Sequence, residues 1–476
     1  MMKTAPEMPC CDIFRECCTE TGSVQSAGFF CMNEAGSAAS VFEQVFFLWH
    51  GQQEGFMKNQ IIKGNIISAE EFGRIDITEQ GYLIAEDGKI TGIFRELPPE
   101  YADSEIEDYG DALVMQSFAD MHLHAPQYPM IGMNMDMPLL QWLNTYTFPT
   151  EALFRDNDFA RETYRRLAAE LAANGTTRVC MFSSIHREAT LILMEELEKA
   201  GLIGFVGKVC MDRNGGKDYQ ETTEESVSEM IRWLDECRFE HIKPVLTPRF
   251  TPCCTDELME ALGRAAKENG LPVQSHLSEN TGEIRWVAEL HPDCRRYWES
   301  YRKFGMWNDR TLMAHCVWSD ACERKAMKEA GVWAVHCAAS NENLISGFAP
   351  VRAMLNEGVR VVLGSDIAGG DHLCMFENVA ASIRASKDRR IMDEWKTDFL
   401  TVAEAFYLGT SAAAGFFGDA PGFAAGNSLH AIVLDDSALP DFRPLSVRER
   451  FDRCIYRRQK NAVLAVYSEG KKIFGK

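Results

Sequence analysis

Residues 112–124 read ALVMQSFADMHLH, an apolar run that closes on two histidines two positions apart. Alternation along a strand puts His122 and His124 on one face, so both imidazoles aim at one point. Seven more apolar runs follow. They are TTRVCMFSSI (176–185), LIGFVGKVCMD (202–212), IKPVLTPRF (242–250), LPVQSHLSE (271–279), TLMAHCV (311–317), VWAVHCAAS (332–340) and RVVLGSDIA (360–368). Amphipathic segments separate them. Asp158 is placed to cap the helix DFARETYRRLAAELAANG, which stops at Asn174-Gly175. Thr222 with Glu225 forms a capping box before a helix carrying Val227, Met230, Ile231 and Leu234 on its apolar face. Eight strand–helix units in series predict an α/β chain closed into a (β/α)8, TIM-like barrel, with an open doubly wound sheet as the alternative.

The two ends of the chain read differently. QIIKGNIIS (60–68) and GYLIAEDGKITGIF (81–94) alternate in the manner of strands, and Asp87-Gly88 marks a hairpin between apolar runs. The C-terminus repeats that style in LHAIVLDDS (429–437) and NAVLAVYSEGKKIFG (461–475), with a turn at Glu469-Gly470. The expectation is a small discontinuous β-sandwich domain built from 57–114 and 420–476 around a barrel over 115–419. Residues 1–56 are rich in Cys, Gly, Ser and Glu and show little periodicity. They read either as a poorly ordered extension or as sequence ahead of a true start near Met57.

Composition narrows the function classes. A formal charge of −21 over 476 residues disfavours nucleic acid and anionic membrane surfaces as partners. The apolar patch Val41–Trp49 is short and interrupted by Glu43, far from the about 20 residues of a membrane helix. The beginning of the chain carries Glu7 and Asp12 and lacks the pattern of a secretory signal. Most of the 16 cysteines are scattered singly, as small buried hydrophobes are. The cluster Cys10, Cys11, Cys17, Cys18 and Cys31 matches no standard ligand spacing, although a metal- or partner-binding module there is a reading to test. The cytoplasm is the expected compartment.

Candidate chemistry gathers at the ends of the runs. His122 and His124 close the first, His276 the fifth, His315 the sixth and Asp366 the eighth. In a barrel all of these ends meet at one mouth. Imidazoles with a carboxylate suit a borderline divalent ion such as zinc or iron. Taken singly, a strand histidine is more often a satisfied polar residue than a ligand, but five ligand-type residues at strand ends are not a coincidence of that kind. His186, His241, His291, His372 and His430 lack the placement and are read as structural, while His336 also ends a run and stays ambiguous. The other zinc deaminase design, H-x-E followed by P-C-x-x-C, is ruled out because Asp256 stands where the second cysteine belongs after Pro252-Cys253.

An H-x-H on the first strand, a later H-x-x-E, a sixth-strand His and an eighth-strand Asp together resemble the amidohydrolase superfamily. Within it, MHLHAPQYPMIGMNMDMPLLQWLNTYTFPTE (121–151), VGKVCMD, TPRF, QSHLSEN and GSDIAGG resemble the guanine deaminase family. The similarity runs from about Met57 to the C-terminus. It implies one zinc per subunit, with ferrous iron as the alternative, held by His122, His124, His276 and Asp366. His315 is implied as a hydrogen-bonding partner of the metal's water. Zinc with an open position lowers the pKa of its water to about 7. Glu279, three residues beyond His276, is implied as the proton shuttle between that water and the purine ring. Asp366 would also hold the attacking oxygen by a hydrogen bond. His315, Glu279 and Asp366 are thus the expected catalytic groups. Substrate contacts carry over to His124, Gln127, Arg249, Phe250, His276, Glu279 and Asp366. Gln127 offers both a donor and an acceptor, Arg249 a fork of donors for the purine carbonyl, and Phe250 a stacking face. The activity implied is hydrolysis of guanine to xanthine and ammonia in purine catabolism, by a homodimer.

The chain departs from the family pattern at three places. Gln116-Ser117 replaces a common P-G before the first motif, HCAASN (336–341) replaces H-C-P-x-S-N, and His430 stands where relatives tend to carry Asp. The HCAASN loop is expected to face the substrate, so its Ala338 and Ala339 bear on substrate range. Rival readings are a related ring aminohydrolase acting on 8-oxoguanine, a pterin or a triazine, and a non-catalytic scaffold.

Overall fold

The computed structural model describes residues 59–216, 218–457 and 461–475; the cysteine cluster and the patch Val41–Trp49 lie outside them. Among the described residues the chain is α/β, with parallel strands in the middle and a mixed sheet from the two ends. The parallel strands form two four-stranded sheets, beside a short pair between Val209–Cys210 and Thr247–Pro248. One pairs Phe118–His124, Thr176–Phe182, Ile203–Gly207 and Ile242–Pro244 in that order, and the other pairs Val273–Leu277, Thr311–His315, Trp333–His336 and Arg360–Leu363. Hydrogen bonds join both seams. Leu246 bridges Val273 in parallel, Asp366 N–H donates to His122 O at 2.8 Å and His124 N–H donates to Ile367 O at 3.2 Å. Helices alternate with the strands, from Asn157–Ala173 to Met375–Met392.

The first run divides where one strand had been expected. Its front half belongs to a strand Glu107–Gln116 of the mixed sheet, and a new strand begins at Phe118. Ser117 is the junction, because its N–H turns to His430 O while the next N–H, of Phe118, turns to Gly175 O. The fourth run is likewise broken into Ile242–Pro244 and Thr247–Pro248, each ending at a proline that has no N–H to give the ladder.

Alternation in Phe118–His124 sorts its side chains as a strand should. Ala119 and Met121 join an apolar cluster with Val245, Leu312, Val335 and Val362, while Asp120, His122 and His124 carry the opposite parity.

Helix signals largely operate as read. Thr222 and Glu225 make the capping box of Thr223–Glu236. Its buried stripe is rotated from the expected one: Met230 and Trp233 are buried, Val227 and Leu234 are half-buried, and Ile231 is 49% exposed. The cap of Asn157–Ala173 is Asp156, not Asp158. Asp156 holds an extended backbone (φ −86°, ψ 111°) and accepts the N–H groups of Asp158 and Phe159, which places Asp158 inside the first turn.

The strands from both ends make one seven-stranded sheet in the order 471–475, 463–468, 431–434, 107–116, 60–68, 76–86, 89–94. Both anticipated hairpins form. Asp87 and Gly88 take φ 47° and 75°, and Glu469 and Gly470 take φ 47° and 81°, the left-handed pair that a two-residue turn between twisted strands requires. Side chains across this sheet, among them Ile66, Leu83, Val114, Val433 and Ala465, share one apolar cluster. No helix of the described residues is long and apolar enough to cross a membrane.

Candidate active site

The five ligand-type residues converge. The ligand atoms of His122, His276, His315 and Asp366 all lie within 4.8 Å of one another, and all four residues are buried. His124 joins them through its Nε2, 3.1 Å from His276 Nε2 and 3.5 Å from Asp366 Oδ1. His315 Nε2 is 3.7 Å from Asp366 Oδ2 and 3.6 Å from Glu279 Oε2.

Backbone geometry delivers these side chains at strand ends. His315 and Asp366 take φ 71° and 49°, a left-handed conformation that non-glycine residues adopt at a cost and that turns the chain sharply past each strand. Gly364 lets the eighth strand lie against the first. A Cβ there would meet His122 Cβ at 2.8 Å and His122 O at 2.9 Å. Asp120 accepts the N–H and hydroxyl of Ser365 at 2.9 and 2.5 Å, tying the two strands behind the histidines. Burial lifts the Asp120 carboxyl to about 7.

The electrostatics favour a divalent cation. Burial holds His122 below, and His124 and His276 well below, the ordinary imidazole pKa, and neighbouring imidazoles push the latter two further down. Asp366 is held at about 2 despite its burial, by His122 above all. Neutral imidazoles around an ionised carboxylate are the donor set a metal needs, since ligands bind deprotonated. His122 Nε2 sits 3.2 Å from Asp366 Oδ1 yet makes no hydrogen bond, so this buried nitrogen is left for another partner. Two nitrogens bound to one tetrahedral zinc stand about 3.3 Å apart, close to the His124–His276 spacing of 3.1 Å. His276 Nδ1 lies 2.6 Å from Arg249 O, a geometry that puts the proton on Nδ1 and frees Nε2. The residues therefore fit a metal such as zinc.

Glu279 sits beside this cluster, 3% exposed, with Oε1 accepting the Ser346 hydroxyl at 3.0 Å. Burial raises its pKa, opposed by His315. Burial works against a charge on His315, but Glu279 and Asp366 beside it prevail and raise its pKa. His315 Nδ1 pairs with Asn341 Oδ1 at 2.9 Å, so Asn341 orients the ring. Glu283 Oε2 accepts the Glu279 N–H at 2.8 Å and fixes the turn that carries Glu279.

A cavity of about 410 Å³, counting its open mouth, touches this cluster and is lined by His124, Gln127, Arg249, Phe250, His276, Glu279, His315 and Asp366, closed by Leu139, Trp142, Leu143 and Leu344. The expected substrate residues are thus gathered with the expected catalytic ones. Phe250 stands edge-on to His276, ring centroids 6.3 Å apart. His336 is buried but lines no part of this cavity. His241, His291 and His372 pair instead with Glu469, Asp256 and Glu377 away from it, and His186 flanks a helix start. The HCAASN segment does not behave as expected. Ala338 and Ala339 pack on Ala381, Ala385 and Phe348, away from the lining, and within HCAASN the tie to the site is Asn341.

Glu151 is the residue that sequence reading missed. Wholly buried, it accepts both Arg249 terminal nitrogens, at 2.5 and 2.9 Å, and Gln127 Nε2 at 2.8 Å. Gln127 Oε1 in turn accepts the Ala368 N–H at 2.9 Å. One carboxylate therefore aims both polar arms of the cavity. Its place at the end of TFPTE in the quoted block was the available signal, but no spacing rule links it to Arg249. Glu151→Ala is expected to destabilise the fold by about 3–5 kcal/mol, the effect of stranding a buried charge, and to raise KM with metal content unchanged. Denaturant unfolding, metal analysis and steady-state kinetics check it.

Residues 113–471 match the amidohydrolase family. The chain belongs to the amidohydrolase family. This amidohydrolase is 34% identical over 445 residues to guanine deaminase of Dictyostelium discoideum, spanning 87% of this chain and 98% of that protein. Guanine deaminase of Mus musculus is 36% identical over 386 residues, 80% of this chain and 83% of the relative. Among solved structures, guanine deaminase from C. acetobutylicum with guanine bound in its active site superposes on the amidohydrolase with a TM-score of 0.85 and 39% identity. That match covers 87% of this chain and all of the other.

Proposed function

We propose that this amidohydrolase is a zinc-dependent guanine deaminase that hydrolyses guanine to xanthine and ammonia. The observation that carries the reading is one cavity lined by a purine-edge set (Gln127, Arg249, Phe250), by members of the buried His/Asp cluster and by Glu279. Likeness to a guanine-bound structure over 87% of the chain supports the substrate.

His122, His124, His276 and Asp366 would hold one zinc, with His315 beside it; ferrous iron suits the same donors. The metal supplies an acidified water as nucleophile. The protein does the rest. Arg249, fixed by Glu151, donates to the purine carbonyl, and Gln127 spends its remaining N–H on the ring edge. Phe250 and the Leu139, Trp142 and Leu344 side chains present apolar surface to the base and exclude water. Glu279 accepts a proton from the water and returns it to a ring nitrogen, which makes the amino-bearing carbon electrophilic. Asp366, ionised, would align the attacking oxygen and accept its second proton, and His315, whose Nε2 is 3.7 Å from Asp366 Oδ2, would hydrogen-bond to that oxygen. The exocyclic amine then takes the proton held by Asp366 and departs as ammonia.

The same reading takes the ring of eight runs as a closed (β/α)8 barrel over 115–419, supported by the hydrogen bonds at both seams. Residues 57–114 and 420–476 then form the small β domain, read as a sandwich, a reading supported by the one apolar cluster that strands from both ends share. We place the enzyme in the cytoplasm, as a homodimer in purine catabolism. The test of substrate is a comparison of rates on guanine, 8-oxoguanine, adenine, a pterin and a triazine. The reading expects guanine to lead by at least about tenfold, a margin that buried hydrogen-bonding groups readily produce. A different leader would overturn the substrate and leave the family.

A further inference from the structure

Behind Glu279 and His315 the structure closes a ring of hydrogen bonds that no step of the reaction uses. Ser346 is buried, and its hydroxyl donates to Glu279 Oε1 at 3.0 Å. Among the described residues this is the one hydrogen bond that the Glu279 carboxylate makes, and its other oxygen, Oε2, stands 3.6 Å from His315 Nε2. The N–H groups of Ser346 and Gly347 both donate to Asn341 O, at 2.9 and 3.1 Å, while Asn341 Oδ1 pairs with His315 Nδ1 at 2.9 Å. A single turn over 341–347 therefore presents Asn341 to His315 and Ser346 to Glu279.

Trp318 holds that turn from outside. Its indole N–H donates to Ser346 O at 2.9 Å, and its backbone N–H donates to the carbonyl of Ser278, the residue before Glu279, also at 2.9 Å. Gly347, at φ 121°, permits the approach, since a Cβ there would meet Val317 Cγ1 at 3.2 Å and Trp318 Cζ2 at 3.7 Å. Trp318 is 51% exposed, and neither it nor Ser346 lines the cavity. The ring of bonds thus runs from Glu279 through Ser346 and Trp318 back to the segment that carries Glu279.

The last torsion of a glutamate is broad and roughly two-fold, so a carboxylate without a fixed partner presents either oxygen. We propose that Ser346 is a positioning residue for the proton shuttle. By holding Oε1 it leaves Oε2 as the oxygen that takes the proton from the water and returns it to the ring nitrogen, and Trp318 keeps Ser346 in place. The inference rests on the role given to Glu279 under the proposed function.

The test is a double-mutant cycle in the full-length, metal-loaded enzyme. Ser346→Ala is expected to lower kcat on guanine by about 10–100-fold, the scale of a lost alignment beside the reacting atoms, with KM and metal content unchanged. In a Glu279→Gln background, where no proton is carried, the same substitution should change kcat by less than about twofold. Ser346→Thr keeps the hydroxyl and should restore most of the rate. Trp318→Phe removes the indole N–H and should cost about 2–10-fold in kcat; it serves if Ser346→Ala does not fold. An unchanged kcat in Ser346→Ala, or an equal loss in both backgrounds, would overturn the assignment. A wild type that releases ammonia from another aminated ring and not from guanine would overturn the substrate alone, and the cycle then runs on that ring. Crystals of Ser346→Ala need no turnover. They should show the Glu279 carboxylate turned from its wild-type orientation, and an unmoved carboxylate would overturn the inference whatever the substrate.

Discussion

Glu279→Gln is expected to keep its metal and lose about 10²–10⁴-fold in kcat, the usual worth of a positioned acid/base group. The carboxyl is buried, accepts one bond from Ser346 and lies 3.6 Å from His315 Nε2. Burial lifts its pKa, so it is readier to hold a proton than an exposed carboxylate. Glutamine keeps the shape and can still accept from Ser346, but it cannot take up and return a proton. Metal content and thermal stability should match wild type, with the loss in kcat rather than KM. A variant of near-normal rate would remove Glu279 from the proton path.

His276→Ala has the second large effect and reaches both halves of the site. Its Nε2 stands 3.1 Å from that of His124, and its Nδ1 lies 2.6 Å from the carbonyl of Arg249. The variant is expected to lose most of its metal on dialysis, a larger loss than the about 10–100-fold that removing an outer partner produces. The Arg249 carbonyl would also lose its donor, loosening the segment that presents the guanidinium. Activity should fall with metal content, and excess zinc should restore little of it. Full metal retention, measured by elemental analysis, would mean that His315 completes the ligand set instead of His276.

What the sequence made legible is what periodicity and spacing encode. Alternation put His122 and His124 on one face, and the ends of the apolar runs located His276, His315 and Asp366 before any coordinates. Turn residues with φ > 0 marked both hairpins. The illegible part lies where neither period applies. Residues 125–155 fold into short 3₁₀, α and π turns, which is why no spacing rule pointed to the Glu151–Arg249 pair or to the wall formed by Leu139, Trp142 and Leu143. Ser117 was hidden because a chain can change sheets without interrupting an apolar run. Ala338 and Ala339 were misplaced because a motif's nearness to the site in sequence does not say which way a helix faces; Ala338–Asn343 turns its alanines to a neighbouring helix and Asn341 to His315.

The most direct measurement is ammonia release from guanine by zinc-loaded enzyme, run beside the same preparation stripped of metal and then reloaded. The account predicts stoichiometric xanthine and ammonia from the loaded enzyme, loss on stripping and recovery on reloading. Undiminished release from stripped protein, or zinc-bound protein that turns over no aminated purine, would contradict it.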